Sequence, residues 1–191
     1  MSPPKIDLIF DLLLEEVSED EFSEKYGINP DQFSAEVSRL IDLAHHEHDG
    51  DTVEAALGLG FRYGFPDRFL DEVHRLIPLR WHQRHEDLVG LLQEWRNPRS
   101  IPILATAIEQ KPALKYLDYD DYGAYYKKCL WALVAIGTDE ARDLVGKYTD
   151  SKIPELRDEA IYRLSKFDDD AKWSKEKPPR GPWRKGGDKP T

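Results

Sequence analysis

One set of apolar residues returns four times along this chain. Leu88, Val89, Leu92 and Trp95 reappear 41 positions on as Cys129, Leu130, Leu133 and Ile136, and a further 31 on as Ala160, Ile161, Leu164 and Phe167. A fainter copy lies 32 positions upstream as Ala56, Leu57, Gly60 and Tyr63. Offsets of three and four residues put each set on one face of a helix. Repeat periods of this size mark helical hairpins, none of which can bury its apolar face alone. The repeat therefore predicts an all-α chain stacked as a right-handed solenoid of helical hairpins.

The segments between and before the repeats also read as helices. Ile6, Ile9, Phe10, Leu13 and Leu14 predict an amphipathic helix from about Lys5 to Val17. Ser18 followed by Glu21 is a capping-box start for a short helix ending at Tyr26 and Gly27. Asn29 and Pro30 open a third, with Phe33, Val37, Leu40, Ile41 and Ala44 inward, and Asp49, Gly50 and Asp51 break it. Helices over Thr52 to Tyr63 and Asp67 to Ile77 follow, the second stopped by Pro78. Gly137 is placed to end one repeat helix in a left-handed conformation, and Thr138 to cap the next. The expected organisation is a helical cap over residues 1–50, repeats over 51–167 and a disordered basic tail over 168–191, where Pro, Gly and Lys replace apolar periodicity.

Charge divides the chain in the same way. The net charge is −10, yet the stretch from Ala171 to the end carries +5, leaving −15 on the remainder. An acidic body repels nucleic-acid phosphates and anionic lipid, and speeds encounter with a basic protein surface. No apolar run approaches the roughly 20 residues that cross a bilayer, and the start MSPPKIDLIF lacks the basic flank and long apolar stretch of a signal peptide. A single cysteine, Cys129, sits at a repeat core position and reads as a small buried hydrophobe. These features together predict a cytoplasmic protein.

Residues 130 to 167, LWALVAIGTDEARDLVGKYTDSKIPELRDEAIYRLSKF, resemble HEAT repeats of the short kind found in phycobilisome lyases. In that pattern an apolar helix ends in a Leu-x-x-Ile-Gly signature, here Leu133, Ile136 and Gly137, before an Ala-x-x-Leu helix, here Ala141 and Leu144. The likeness extends from Leu88 to Phe167 and weakens over Thr52 to Ile77. It implies a HEAT-like solenoid. Within that class it implies a scaffold, a bilin-attachment protein, an alkylpurine DNA glycosylase, or a bacterial immunity protein that blocks a secreted toxin.

The chemistry-bearing residues are sparse. His45, His46 and His48 with Asp49 and Asp51 form one cluster, and His82 and His85 lie three apart; both contain zinc-type ligands. A helix C-terminus favours histidine through its dipole alone, so no metal or other cofactor is expected. Phe22, Tyr26, Gly27, Ile28, Phe33 and Val37 match a helix-turn-helix skeleton, but its second helix carries Asp31, Glu36 and Asp42 against Arg39, the wrong sign for a DNA groove. A glycosylase needs a cationic groove, whereas Arg142 and Lys147 lie among Asp139, Glu140 and Asp143. No catalytic residues are assigned.

The long interval between the first and second strong copies holds the candidate site. Its ten or so extra residues fall between Gln110 and Lys127, and insertions in repeat proteins commonly form the binding face. There Tyr116, Tyr119, Tyr122 and Tyr125 alternate with Asp118, Asp120 and Asp121. Tyrosine offers contact area with few rotamers to freeze, and carboxylates form charge-assisted bonds to Arg and Lys. The sequence thus predicts a non-catalytic protein that binds one basic partner, with no nucleic acid and no membrane. The most specific form is an immunity protein occluding a cognate toxin domain; the alternatives are an assembly scaffold or adaptor and a HEAT-fold glycosylase-like enzyme.

Overall fold

The computed structural model describes residues 5–120 and 122–177. Among them it contains eleven α-helices joined by short loops and 3-10 turns, and no strand. No helix is long and apolar enough to cross a membrane. The described chain divides into two compact units, residues 5–72 and 73–177.

The first unit holds α1 (Ile6–Leu13), α2 (Glu19–Tyr26), α3 (Phe33–Glu47), α4 (Gly50–Tyr63) and the start of α5 (Phe69–Leu76). Ser18 accepts from the Glu21 amide while the Glu21 side chain accepts from the Ser18 amide, so two of the four orphan donors of α2 are satisfied reciprocally. Phe33, Val37, Leu40, Ile41 and Ala44 are fully buried, as the spacing predicts. α3 ends at His48 in a left-handed conformation, and Asp49 then caps α4 by accepting from the Asp51 amide at 3.1 Å. The loop is so short that α3 and α4 form one hairpin with a shared core. The division consequently falls after Glu72 and not at residue 50, because a boundary at 50 would cut this hairpin.

The second unit contains α6 (His85–Trp95), α7 (Ile101–Gln110), α8 (Ala124–Ile136), α9 (Asp139–Lys147), α10 (Pro154–Ser165) and α11 (Phe167–Glu176). α8 is its centre: α6, α7, α9, α10 and α11 all pack on it. Cys129, Leu130 and Leu133 are completely buried and Ile136 nearly so, matching the repeat register. Gly137, at φ 66°, ends α8 in the left-handed region, and Thr138 accepts from the Ala141 amide at 3.2 Å to begin α9.

Two expectations need correction here. Residues 167–176 form α11, whereas the sequence composition predicted a disordered tail from 168. Phe167, Ala171 and Ser174 supply a buried stripe at helical spacing, and the Asp168, Asp169 and Asp170 carboxylates suit the positive end of the helix dipole. The expected disorder of 178–191 lies outside the described residues. In the last repeat copy, Ile161 was expected inside but is 51 % exposed, and Phe167 belongs to the following helix. Among the described residues no further copy of the set follows α10.

A candidate partner-binding loop between α7 and α8

The insertion spans two 3-10 turns, Lys111–Ala113 and Lys115–Leu117, and residues 118–120 and 122–123 beyond them are irregular. Leu114 and Leu117 are buried and hold the loop down. The tyrosines and aspartates divide into those that anchor it and those that it presents.

Tyr125 is the largest fully buried side chain of the second unit, so it faces the interior and not a partner. Burial pushes both this phenol and the neighbouring Cys129 thiol well above their usual pKa ranges. Asp120 is likewise 9 % exposed: one carboxylate oxygen accepts from the Ala124 amide at 2.6 Å and the other from the Tyr125 amide at 3.0 Å. It satisfies the first turn of α8 and lies where the helix dipole favours negative charge. Lys111 approaches the same carboxylate at 3.8 Å.

Tyr116 is tied to a buried pair of histidines. His82 and His85 stack with ring centroids 4.3 Å apart and are 1 % and 0 % exposed. His85 Nε2 lies 2.8 Å from the Leu79 carbonyl, which can only accept, so Nε2 carries the hydrogen. Nδ1 is left to accept from the Tyr116 hydroxyl at 2.8 Å. By the same reasoning His82 donates from Nε2 to the Leu76 carbonyl at 2.9 Å and accepts the Arg84 amide hydrogen on Nδ1 at 3.2 Å. All four ring nitrogens are engaged by the protein itself. Burial, and then the neighbouring His82, push the His85 pKa down to about 4, so the ring is neutral at pH 7.

The loop presents Tyr119 and Tyr122, 73 % and 82 % exposed, together with Asp118, whose side chain is 66 % exposed beside Lys115. Asp121 lies outside the described residues. The insertion therefore brings two aromatic side chains and one carboxylate to the surface, while Tyr116, Asp120 and Tyr125 fix the loop to α6 and α8. The alternation of Tyr and Asp did not separate these roles. The one signal available was the placement of Asp120 just ahead of a strongly apolar helix, where an N-terminal anchor belongs.

Gly123 closes the loop at φ 68°, and a Cβ there would lie 2.7 Å from Cβ of Glu155 on α10. Gly123→Ala is expected to lose about 1 to 2 kcal/mol of stability from left-handed strain and this contact together, measured by chemical denaturation. An unchanged midpoint would mean that the loop has another conformation within reach.

Elsewhere, His46 and His48 are exposed, and among the described residues no group of three or more His, Cys, Asp or Glu is arranged to hold a metal. A depression of about 390 Å³ lies between the start of α9 and α11. Arg142 at its wall is paired with Asp168 and stacked 4.6 Å above Phe167, so its charge is already compensated. Comparison with known protein families, curated proteins and solved structures returns no match to this chain.

Proposed function

We propose that this protein acts by binding and performs no chemistry, and that the α7–α8 loop is its contact surface for one basic protein partner. The observation that carries this reading is the division of labour within the loop. Exposed tyrosines at 119 and 122 are large aromatic surfaces without a packing role, held on a segment whose flanks are pinned by Asp120 and by the Tyr116 to His85 hydrogen bond. A pinned loop loses little conformational entropy on binding, and exposed Tyr beside Asp is the chemistry of an Arg- or Lys-rich surface. The chain's net charge of −10 adds long-range attraction of the same sign.

The HEAT-like reading of residues 88–167 belongs to the same proposal. It is supported by α6 packing on α8 and α8 on α10, with Leu88, Val89 and Leu92 of α6 and Cys129, Leu130 and Leu133 of α8 all buried. An immunity protein that occludes a basic toxin domain is the most specific form of this function; size, charge and an anchored acidic-aromatic loop favour it. A general assembly scaffold is the alternative.

The test compares full-length protein with the Tyr119→Ala/Tyr122→Ala double variant in pull-downs from native lysate at low and moderate salt, read by mass spectrometry. One dominant basic protein at near-equal stoichiometry is expected with the natural chain and not with the variant. Each tyrosine should contribute about 1 to 3 kcal/mol to the affinity, with melting temperature unchanged because both side chains are exposed. Capture of nucleic acid, or equal capture by the variant, overturns the assignment.

A further inference from the structure

The buried histidines at 82 and 85 are tied, through Tyr116, to the same loop that presents Tyr119 and Tyr122. Tyr116 lies on the second 3-10 turn, and its ring centroid is 5.8 Å from that of His85. The loop is held by two buried leucines, 114 and 117, and by hydrogen bonds within its own turns, whereas five helices pack on α8. Of the elements around His85 it is therefore the one that opens at least cost.

The groups around His85 give a positive charge there little compensation. His82 stacks on it from the α5–α6 connection, which also carries Arg84. On α6 itself, Glu86 is engaged by Lys128 of α8 at 3.0 Å and Asp87 by Arg84 at 3.8 Å. On the loop, Lys115 faces Asp118 at 4.0 Å, and burial holds the Tyr116 phenol well above its ordinary range and hence neutral. α8 contributes Tyr125 and Cys129, both neutral for the same reason, and α7 the uncharged Gln110, which donates to the Ile77 carbonyl at 2.5 Å. Burial, and then His82, hold the His85 pKa at about 4 against the Leu79 and Ile77 carbonyls, which favour the charged ring.

We propose that the His82–His85 pair is an acid-sensitive latch on the α7–α8 loop, and that a proton taken up at His85 Nδ1 opens the loop while the helices of the second unit stay folded. The proton comes from solvent and occupies the lone pair that accepts from the Tyr116 hydroxyl. The imidazolium then lies without water and against a second imidazole. Nε2 stays bonded to the Leu79 carbonyl, so the ring does not swing out to reach water. Release of the 114–117 turn admits water to Nδ1 instead. In the opened loop the ring regains its ordinary affinity for protons, and that difference drives the opening. Opening also takes apart the surface formed by Tyr119 and Tyr122. This consequence for binding rests on the loop being the contact surface proposed above; the latch itself does not.

Amide hydrogen exchange of the full chain at about pH 7 and about pH 5, corrected for the intrinsic pH dependence of exchange, reads the opening directly. The reporters are the amides of Leu117, Asp118 and Asp120, whose hydrogen bonds lie within the loop, with those of α3 as reference. This interval lies above the usual carboxylate range, and the difference between 6.5 and about 4 at His85 should raise the opening constant of the loop roughly twentyfold. Protection in α3 and in the interior of α8 should stay nearly constant. His85→Gln keeps an acceptor for Tyr116 and a donor for Leu79 but does not titrate, so the response should vanish. Tyr116→Phe, which leaves the histidines in place and carries the test if His85→Gln is too unstable to measure, should open the loop already at pH 7 and respond less to acid, because the hydrogen bond that favours the neutral ring is gone. A loop as protected at pH 5 as at pH 7, a response preserved in full by His85→Gln or by Tyr116→Phe, or loss of protection in the loop and α8 together overturns the proposal. None of these readings involves a partner, so the latch stands or falls separately from the binding assignment.

Discussion

Leu133→Ala is expected to lower the unfolding free energy by about 2 to 5 kcal/mol. Leu133 is completely buried on α8, the helix on which five others pack, so the surrounding structure has little room to collapse into the space left behind. The loss combines the transfer free energy of the removed carbons with the cavity term. The described tryptophans all lie in the second unit, at 81, 95, 131 and 173, so their fluorescence in urea reports on the region concerned. Ile161→Ala, on the next copy of the set at the position equivalent to Leu130 but half exposed, provides the comparison and should cost well under half as much. Equal effects at the two positions would mean that the register placing Leu133 inside and Ile161 outside is wrong.

Acidification supplies the second large effect, through His85. Its pKa falls from 6.5 to about 4 in the folded chain, chiefly through burial. The unfolded chain therefore binds more protons between these values, and stability rises with pH across the window. The contribution is complete above pH 6.5 and is lost as pH falls towards 4. Its size is about 3 kcal/mol, an upper-end figure set by about 1.4 kcal/mol per unit. Asp87 works in the opposite direction at the acid end, because burial raises its carboxyl and favours the protonated form in the folded chain. Stability measured by urea titration at pH 7, 5.5 and 4.5 should fall steadily. In His85→Gln the slope over this interval should flatten although the variant is less stable at pH 7. Parallel slopes would show that the acid sensitivity originates elsewhere. The Tyr116 hydroxyl accepts or donates according to the state of Nδ1, so the flank of the binding loop feels the same titration.

Much of the local structure was legible from residue order. The Ser18 and Glu21 capping box, the left-handed ends at Gly27 and Gly137, the Thr138 cap and the inward stripe of α3 all follow from short-range chemistry that a few neighbouring residues complete among themselves. The apolar set at 129, 130, 133 and 136 identified the interior face of the central helix for the same reason. The candidate loop was located by its length excess and composition, but its internal roles were not. Tyr116, Tyr119, Tyr122 and Tyr125 are one residue type at regular spacing, and nothing local distinguishes the one that ends under α8 from the two that end in solvent.

Which residues pair across the fold depends on partners far along the chain. Tyr116 finds His85 31 positions upstream, and Gly123 comes against Glu155 32 positions downstream. The stacked histidines at 82 and 85 read as possible metal ligands until backbone carbonyls from residues 76 and 79 occupied their Nε2 atoms. α11 shows the same limit from the other side: ten residues rich in Asp and Lys, with a weak apolar stripe, become helical because α8 offers a surface to pack on. By itself the sequence determined the helices, their ends and their inward faces, since backbone hydrogen bonding, capping and amphipathic spacing are satisfied within a few residues. Only the tertiary structure decided which equivalent positions are covered, because burial requires a second surface, and for Ile161 on α10 the described residues cover only about half of the side chain.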